Sequence, residues 1–294
     1  MRDVHLLGIP MDLGAGRRGV DVGPSALRLA RLTPTLERIG RRVVDHGNVP
    51  VAVPEATDDP EALAFVDAIA AAARATVDAA TAMPEGATAV FLGGDHAVTI
   101  GTYAARAGRG RTGVLWIDAH ADLNTPATSP SGNVHGMPAA VLMGEGDPRL
   151  VDVVPPDARL DPRDLVYVGL RSVDPAERAL LAERGIRTYT MTDVDRRGIA
   201  AVAEEAAAHL AHVDRLHVSF DADVLDPDLA PGVGTPVPGG LSYREAHLLM
   251  EILAGTDLVT SVDLVEDNPM LDDRNRTADI VVEMAASLLG KTIL

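Results

Sequence analysis

The feature that most restricts the fold is a series of short, continuous apolar runs separated by Ala-rich stretches. Val114-Leu115-Trp116-Ile117 and Leu165–Leu170 (LVYVGL) show no polar alternation, so they suit strands covered on both faces, as in a parallel sheet. Candidate strands lie at 3–9, 41–46, 89–92, 113–118, 165–169, 186–190, 215–220 and 258–263. Candidate helices lie at 24–32, 60–82, 98–107, 136–144, 175–184, 198–211, 243–254 and 278–290. Pro24 behind Gly23 suits a first helical turn, and 62–82 is rich in the best helix former. The alternation predicts one α/β domain over 1–294 with a mainly parallel sheet. No repeat and no dividing linker interrupts it. The Pro/Asp-rich stretches 50–60 and 154–164 read as surface loops, and 124–135 as a loop of unusual polar content.

Composition narrows the function. The chain has 294 residues, enough for a sizeable core, and no cysteine, which excludes disulfides, thiolate metal sites and a Cys nucleophile. A formal net charge of −17 argues against nucleic acid or an anionic membrane as partner, and it fits a cationic substrate or bound cations. No apolar run approaches the roughly 18 residues of a membrane span. The start MRDVHLLGIP has too short an apolar run for a signal peptide, so a cytoplasmic protein is expected.

Gly14-Ala15-Gly16-Arg17-Arg18-Gly19 fits G-x-G-x-x-G after a strand, with Asp45 ending the next apolar run. A dinucleotide-dependent oxidoreductase is therefore a rival reading. Against it, Val20 to Pro24 separate the glycines from the next helix, so a flexible strand-to-helix loop is the expectation.

The chemistry concentrates at three strand ends. LWIDAHADLN runs out of a strand into Asp118, His120 and Asp122, which share a side if the chain stays extended past Ile117. LHVSFDAD repeats the form with Asp221 and Asp223. Val90-Phe91-Leu92 leads into Gly93-Gly94-Asp95-His96, where glycines permit a sharp turn and close approach. Ligands of parallel α/β sheets collect at the carboxyl ends of strands, and so many ionisable groups crowded there call for a positive charge between them. Four carboxylates and two imidazoles without sulfur suit a hard or borderline ion such as manganese better than structural zinc. With bridging carboxylates, six ligands can hold two ions about 3.5–4 Å apart. Asp95, beside His96, is expected to orient a ligand from behind.

These motifs resemble the ureohydrolase superfamily over nearly the whole chain, in the blocks GGDHAVTIG (93–101), DAHADLNTPATSPSGNVHGMP (118–138), VGLRSVDPAE (168–177), SFDADVLDPDLAPGVGTPVPGGLSYRE (219–245) and SVDLVEDNP (261–269). Within it the chain is similar to the arginases. The resemblance implies a three-layer αβα fold around an eight-stranded parallel sheet. It implies two Mn²⁺ ions per subunit on His96, Asp118, His120, Asp122, Asp221 and Asp223, and hydrolysis of L-arginine to L-ornithine and urea by a metal-bridging hydroxide. Asp122 would serve the catalytic centre as well as the metal. Glu266 matches the glutamate that takes the guanidinium, and His135 a proton-shuttling histidine. Asn124, Ser129 and Ser131 match contacts to the α-carboxylate; Asn133 and Asp174 match those around the α-amino group, joined by Glu177 through water. Thr235 matches a position near the guanidinium. Ser129 stands where many arginases have Thr, and Ala121 where Thr or Gly is common. Agmatinases and guanidino-acid amidinohydrolases share the metal site, so the alternative is one of these. The ending GKTIL, without the longer tail of animal arginases, resembles a bacterial type, and the resemblance to bacterial arginases implies a homo-oligomer, a trimer or hexamer.

Overall fold

A computed structural model describes residues 2–53 and 65–292. All eight expected strands form: β1 (Val4–Ile9), β2 (Val43–Asn48), β3 (Thr88–Gly93), β4 (Thr112–Ile117), β5 (Leu165–Leu170), β6 (Arg187–Thr190), β7 (Arg215–Asp221) and β8 (Val259–Val265). They join one sheet in the order β2-β1-β3-β8-β7-β4-β5-β6, and every pairing is parallel. The last two strands thus insert between β3 and β4, so the ends of β3, β8, β7 and β4 become neighbours.

Among the described residues the helices are α1 (Gly23–Leu29), α2 (Leu32–Arg38), α3 (Val66–Thr81), α4 (Thr99–Arg106), α5 (Pro138–Leu142), α6 (Pro148–Val151), α7 (Pro175–Arg184), α8 (Met191–Arg197), α9 (Ile199–His209), α10 (Tyr243–Ala254) and α11 (Arg276–Leu288). Strand alternation divides the core between them. Leu115, Ile117, Val218 and Val262 pack with Leu27, Leu36, Val202, Leu249 and Val281 from α1, α2, α9, α10 and α11. Val114, Trp116, Phe91 and Tyr167 pack with Ile69, Ile100, Val141 and Leu150 from α3 to α6. Each fully buried aliphatic or Phe side chain stabilises the fold by about 1.5–3 kcal/mol. This is the three-layer αβα architecture.

Three differences from the sequence reading have local causes. The helix expected at 24–32 ends at Leu29, because Arg31 takes a left-handed φ of 67°, and a further helix, α2, that the sequence reading did not include starts behind it. Helices α6 and α8 were unforeseen. The first is four residues long, and the second is fixed by a capping box between Thr190 and Asp193 rather than by apolar periodicity. The stretch 154–164 contains two 3₁₀ turns, Pro156–Ala158 and Pro162–Asp164. Most of the loop expected at 50–60 and the start of the helix expected at 60–82 lie outside the described residues. No helix among the described residues is long and apolar enough to cross a membrane.

Candidate metal and active site

The site lies where the four central strands end. His96 follows β3, Asp118, His120 and Asp122 follow β4, Asp221 and Asp223 close β7, and Glu266 follows β8. The chain does not stay extended past Ile117. Instead each Asp-x-His or Asp-x-Asp pair is folded by its first carboxylate: His120 N–H donates to Asp118 Oδ1 (2.7 Å) and Asp223 N–H donates to Asp221 Oδ1 (2.7 Å). A short Asp side chain capping its own backbone two residues on is a local turn, and it replaces the alternating strand geometry expected from sequence. Asp122 and Glu266 sit at φ 50° and 62°. Left-handed non-glycine backbone costs energy and gathers at functional sites.

His96 is fully buried. Its Nδ1 stands 3.1 Å from Asp118 Oδ2, 3.0 Å from Asp122 Oδ2 and 3.0 Å from Asp221 Oδ2. His120 Nδ1 stands 2.9 Å from Asp223 Oδ2 and 3.5 Å from Asp118 Oδ1. The potential ligand atoms of His96, Asp118 and Asp122, and those of Asp118, His120 and Asp223, lie within 4.8 Å of one another in each group. Asp118 belongs to both groups, so the arrangement fits two cations sharing a carboxylate.

The electrostatics say the same. Burial raises Asp122 to about 6, with Asp118 adding repulsion, and burial and neighbouring carboxylates raise Asp221 and Asp223 as well. His120 is pushed up to about 12 because Asp223 and Asp118 outweigh its burial. Four carboxylates this deep want positive charge, and the imidazoles supply it by protonating. Divalent ions on an all-oxygen and imidazole donor set would supply it better, so the residues present fit such ions.

Several supporting residues were missed from sequence. The Trp116 indole stacks on His96 at 4.4 Å and donates Nε1–H to Asp118 Oδ2 (2.9 Å). Ser219 Oγ lies 2.8 Å from His96 Nε2, which leaves Nδ1 facing the carboxylates. Tyr167 O–H donates to the Ala121 carbonyl (2.6 Å). Trp116 and Ser219 each precede a carboxylate by two on the same strand, and that shared face was the available signal. Asp95 departs from its expected role. It accepts the backbone N–H of Gly14 (2.8 Å) and of Ala97 (2.9 Å), and makes no hydrogen bond to a metal-side side chain among the described residues. Being next to His96, it points to the other side. Gly94 is required as expected, since a Cβ there would lie 1.7 Å from the Met11 carbonyl oxygen.

Glu266 is buried, and its Oε1 accepts both the His96 N–H (2.9 Å) and a bond from His135 Nδ1 (2.9 Å). Its Oε2 is buried without a hydrogen-bond partner among the described residues. Burial opposes ionisation, yet His135 and the His96 amide hold Glu266 below the usual carboxylate range. Reciprocally, Glu266 overcomes burial to push His135 up to about 9.

Above the metal-side residues opens a cavity of about 240 Å³. It gathers His120, Asp122, Asp221, Asp223 and His135 with Asn124, Ser129, Ser131, Asn133, Asp174, Glu177 and Thr235. His96, Asp118 and Glu266 lie beneath it. Ser172 also lines it, unforeseen although it falls within VGLRSVDPAE. Asp174 and Glu177 form the capping box of α7, where Glu177 also accepts the Leu123 N–H (2.9 Å). Burial lifts Glu177 to about 7 against these two backbone bonds. Asn124 Nδ2 donates to Asp174 Oδ2 (2.9 Å), and Thr235 O–H donates to Asp223 Oδ2 (3.0 Å). A larger cavity, about 780 Å³, runs beside α7 and β6, but none of the expected site residues lines it.

The comparisons with known proteins agree with this geometry. The model of the arginase family matches residues 2–290. The arginase of Bacillus caldovelox is 44% identical over 300 residues, covering 100% of both chains. A solved structure of arginase from that organism superposes with a TM-score of 0.96 over 100% of each chain at 44% identity. Arginase from Entamoeba histolytica in complex with L-ornithine superposes at 0.92, with 31% identity over 99% of this chain and 100% of that one. The chain belongs to the arginase family, and with it to the hydrolases.

Proposed function

We propose that the protein hydrolyses the guanidinium group of L-arginine to L-ornithine and urea, with two Mn²⁺ ions held by His96, Asp118, His120, Asp122, Asp221 and Asp223. The observation that carries the substrate reading is Glu266 Oε2, a buried carboxylate oxygen with no hydrogen-bond partner among the described residues. An unpaired buried acceptor is costly, and a guanidinium donor removes that cost. Two divalent ions bound in the cluster would lower the pKa of water and supply hydroxide near neutral pH.

The chain's own groups do the rest. A guanidinium arriving at Glu266 competes with His135 for the carboxylate. His135, protonated near neutral pH by its pairing with Glu266, then has a proton to give to the departing amine, which cannot leave as an anion. Asn124, Ser129 and Ser131 offer neutral donors to the α-carboxylate; Asn133, Asp174 and Glu177 address the α-ammonium. Thr235, bonded to Asp223, sits where the guanidinium would pass. The relatives named arginase and the L-ornithine complex of the Entamoeba enzyme support this choice of substrate. We extend the proposal to a single catalytic domain over 1–294, working in the cytoplasm as a homo-oligomer, a trimer or hexamer; light scattering would read the assembly.

The test is urea release by manganese-loaded and chelator-stripped protein, offered L-arginine, agmatine and 4-guanidinobutyrate in parallel. Manganese-dependent urea with matching ornithine from L-arginine supports the proposal. Preference for agmatine or the guanidino acid would keep the metal site and overturn the substrate, giving the amidinohydrolase alternative. Equal activity with other divalent ions would overturn manganese as the specific cofactor.

A further inference from the structure

The segment Leu13–Gly19, whose glycine spacing imitates a dinucleotide loop, lies against the active site and is tethered at both ends. The Gly14 N–H donates to Asp95 Oδ2 (2.8 Å), and the Gly14 carbonyl accepts the His135 N–H (3.1 Å). At the far end Arg18 Nε–H (2.7 Å) and the Gly19 N–H (3.0 Å) both donate to Asp12 Oδ2. The expected flexible loop is therefore a held one. Gly14 and Gly16 do not take positive φ, so any residue could adopt their backbone. What these positions require is space. A Cβ on Gly14 would stand 3.0 Å from Asp95 Oδ1, 3.0 Å from the His135 nitrogen and 3.2 Å from Ala97 Cβ. A Cβ on Gly16 would stand 2.9 Å from Asn133 Nδ2. The Asn133 amide lines the cavity and makes no side-chain hydrogen bond among the described residues, so its position is set by what crowds it.

We propose that Leu13–Gly19 is a positioning wall of the active site, in which Gly14 sets where His135 stands and Gly16 leaves the room Asn133 needs to reach the amino-acid end of the substrate. Two glycines two residues apart thus control different steps: Gly14 the proton transfer, Gly16 the recognition of the α-amino acid. Asp95 acts in the same device by holding the Gly14 amide. The inference rests on the arginine-hydrolase reading.

The experiment compares Gly14→Ala and Gly16→Ala in the manganese-loaded full chain, with L-arginine and with n-butylguanidine, which lacks the amino-acid end. Gly86→Ala, where a Cβ meets nothing within 4 Å, is the control. Gly16→Ala is expected to raise KM for L-arginine about tenfold, the scale of one charge-assisted hydrogen bond. Its kcat and its KM for n-butylguanidine should stay within about twofold. Gly14→Ala is expected to do the reverse, lowering kcat about tenfold or more for both substrates with KM nearly unchanged. A Gly16→Ala effect equal on both substrates, or a Gly14→Ala effect confined to KM, overturns the proposal. Gly16 is exposed, so its variant folds and carries the test even where Gly14→Ala does not. Crystal structures of the variants decide the geometry independently of turnover. Asn133 displaced by Gly16→Ala with His135 in place supports the wall, and both side chains unmoved overturns it. A wild type that releases no urea would refute the function reading while leaving this structural test intact.

Discussion

The strand-end cluster and the loop that follows it meet in one cavity but are held in opposite ways. The cluster is fixed by the sheet. His96, Asp118, Asp221, Asp223 and Glu266 are all buried, and each hangs from a strand whose neighbours set its register. The loop 124–135 has no sheet to hold it. It is shaped by its own short polar side chains: Thr128 O–H donates to Asn124 Oδ1 (3.0 Å), Ser129 Oγ accepts from Gly132 N–H (2.8 Å), and Ser131 Oγ accepts from Asn133 N–H (3.2 Å). The first region concentrates carboxylate charge that protonated imidazoles offset and that divalent ions would offset better. The second spreads neutral donors on a partly exposed rim. On the proposed function, chemistry would reside in the rigid part, and substrate choice in the part that a few hydroxyls can reshape.

That contrast orders the expected effects. Asp122→Ala or Asp221→Ala should strip metal and lower urea release by well over the 10–100-fold typical of a ligand's outer partners. A variant with full metal content and full turnover would break the cluster half of the comparison. Next, His135→Asn should keep the metals, measured by elemental analysis, while kcat falls about 10²-fold, because one proton transfer is lost; an unchanged kcat removes His135 from that role. Ser131→Ala should act on the loop half alone. KM for L-arginine should rise about tenfold with agmatine little affected, and equal effects on both would contradict a carboxylate contact.

The smallest effect on activity should come from Asp267, beside Glu266. Glu266 has donors and is held low; Asp267 is buried with neither oxygen partnered among the described residues, and burial, with some repulsion from Asp272, raises it from 3.8 to about 8. A carboxyl whose folded pKa lies above its unfolded value binds its proton more tightly in the fold. Stability therefore falls as pH rises from about 4 to about 8. Asp267→Asn should stabilise the chain at pH 7 by about 1–3 kcal/mol, with the gain vanishing below about pH 4. Unfolding curves with the same pH slope as wild type would show that Asp267 finds a partner.

Much of the cluster was legible because its signals are local: an apolar run, then carboxylates and histidines at fixed spacing. Trp116 and Ser219 were harder to see. Their spacing two before Asp118 and Asp221 puts them on the carboxylate face, but their contacts to His96 come from another strand, and no spacing within their own segments shows those. Asp95 was expected to point away from the cluster and orient a ligand from behind; its carboxylate instead holds the backbone of Ala97 and of Gly14, the latter a partner 81 residues earlier that no local spacing shows. The helix break at Arg31 and the capped α8 depend on single backbone choices too weakly encoded for periodicity to show.

The sequence by itself determined the strands, most helices, the absence of sulfur chemistry and the identity of the residues that crowd the site, since apolar continuity and residue type are properties of short segments. Only the tertiary structure decided that β8 and β7 insert between β3 and β4, bringing His96, Glu266, Asp221 and Asp118 from across the chain to one edge. It also turned the paired aspartates inward by capping rather than by strand alternation, and set the glycine loop against His135. Those outcomes depend on which surfaces meet when the whole chain buries its apolar faces, and no single segment carries that information.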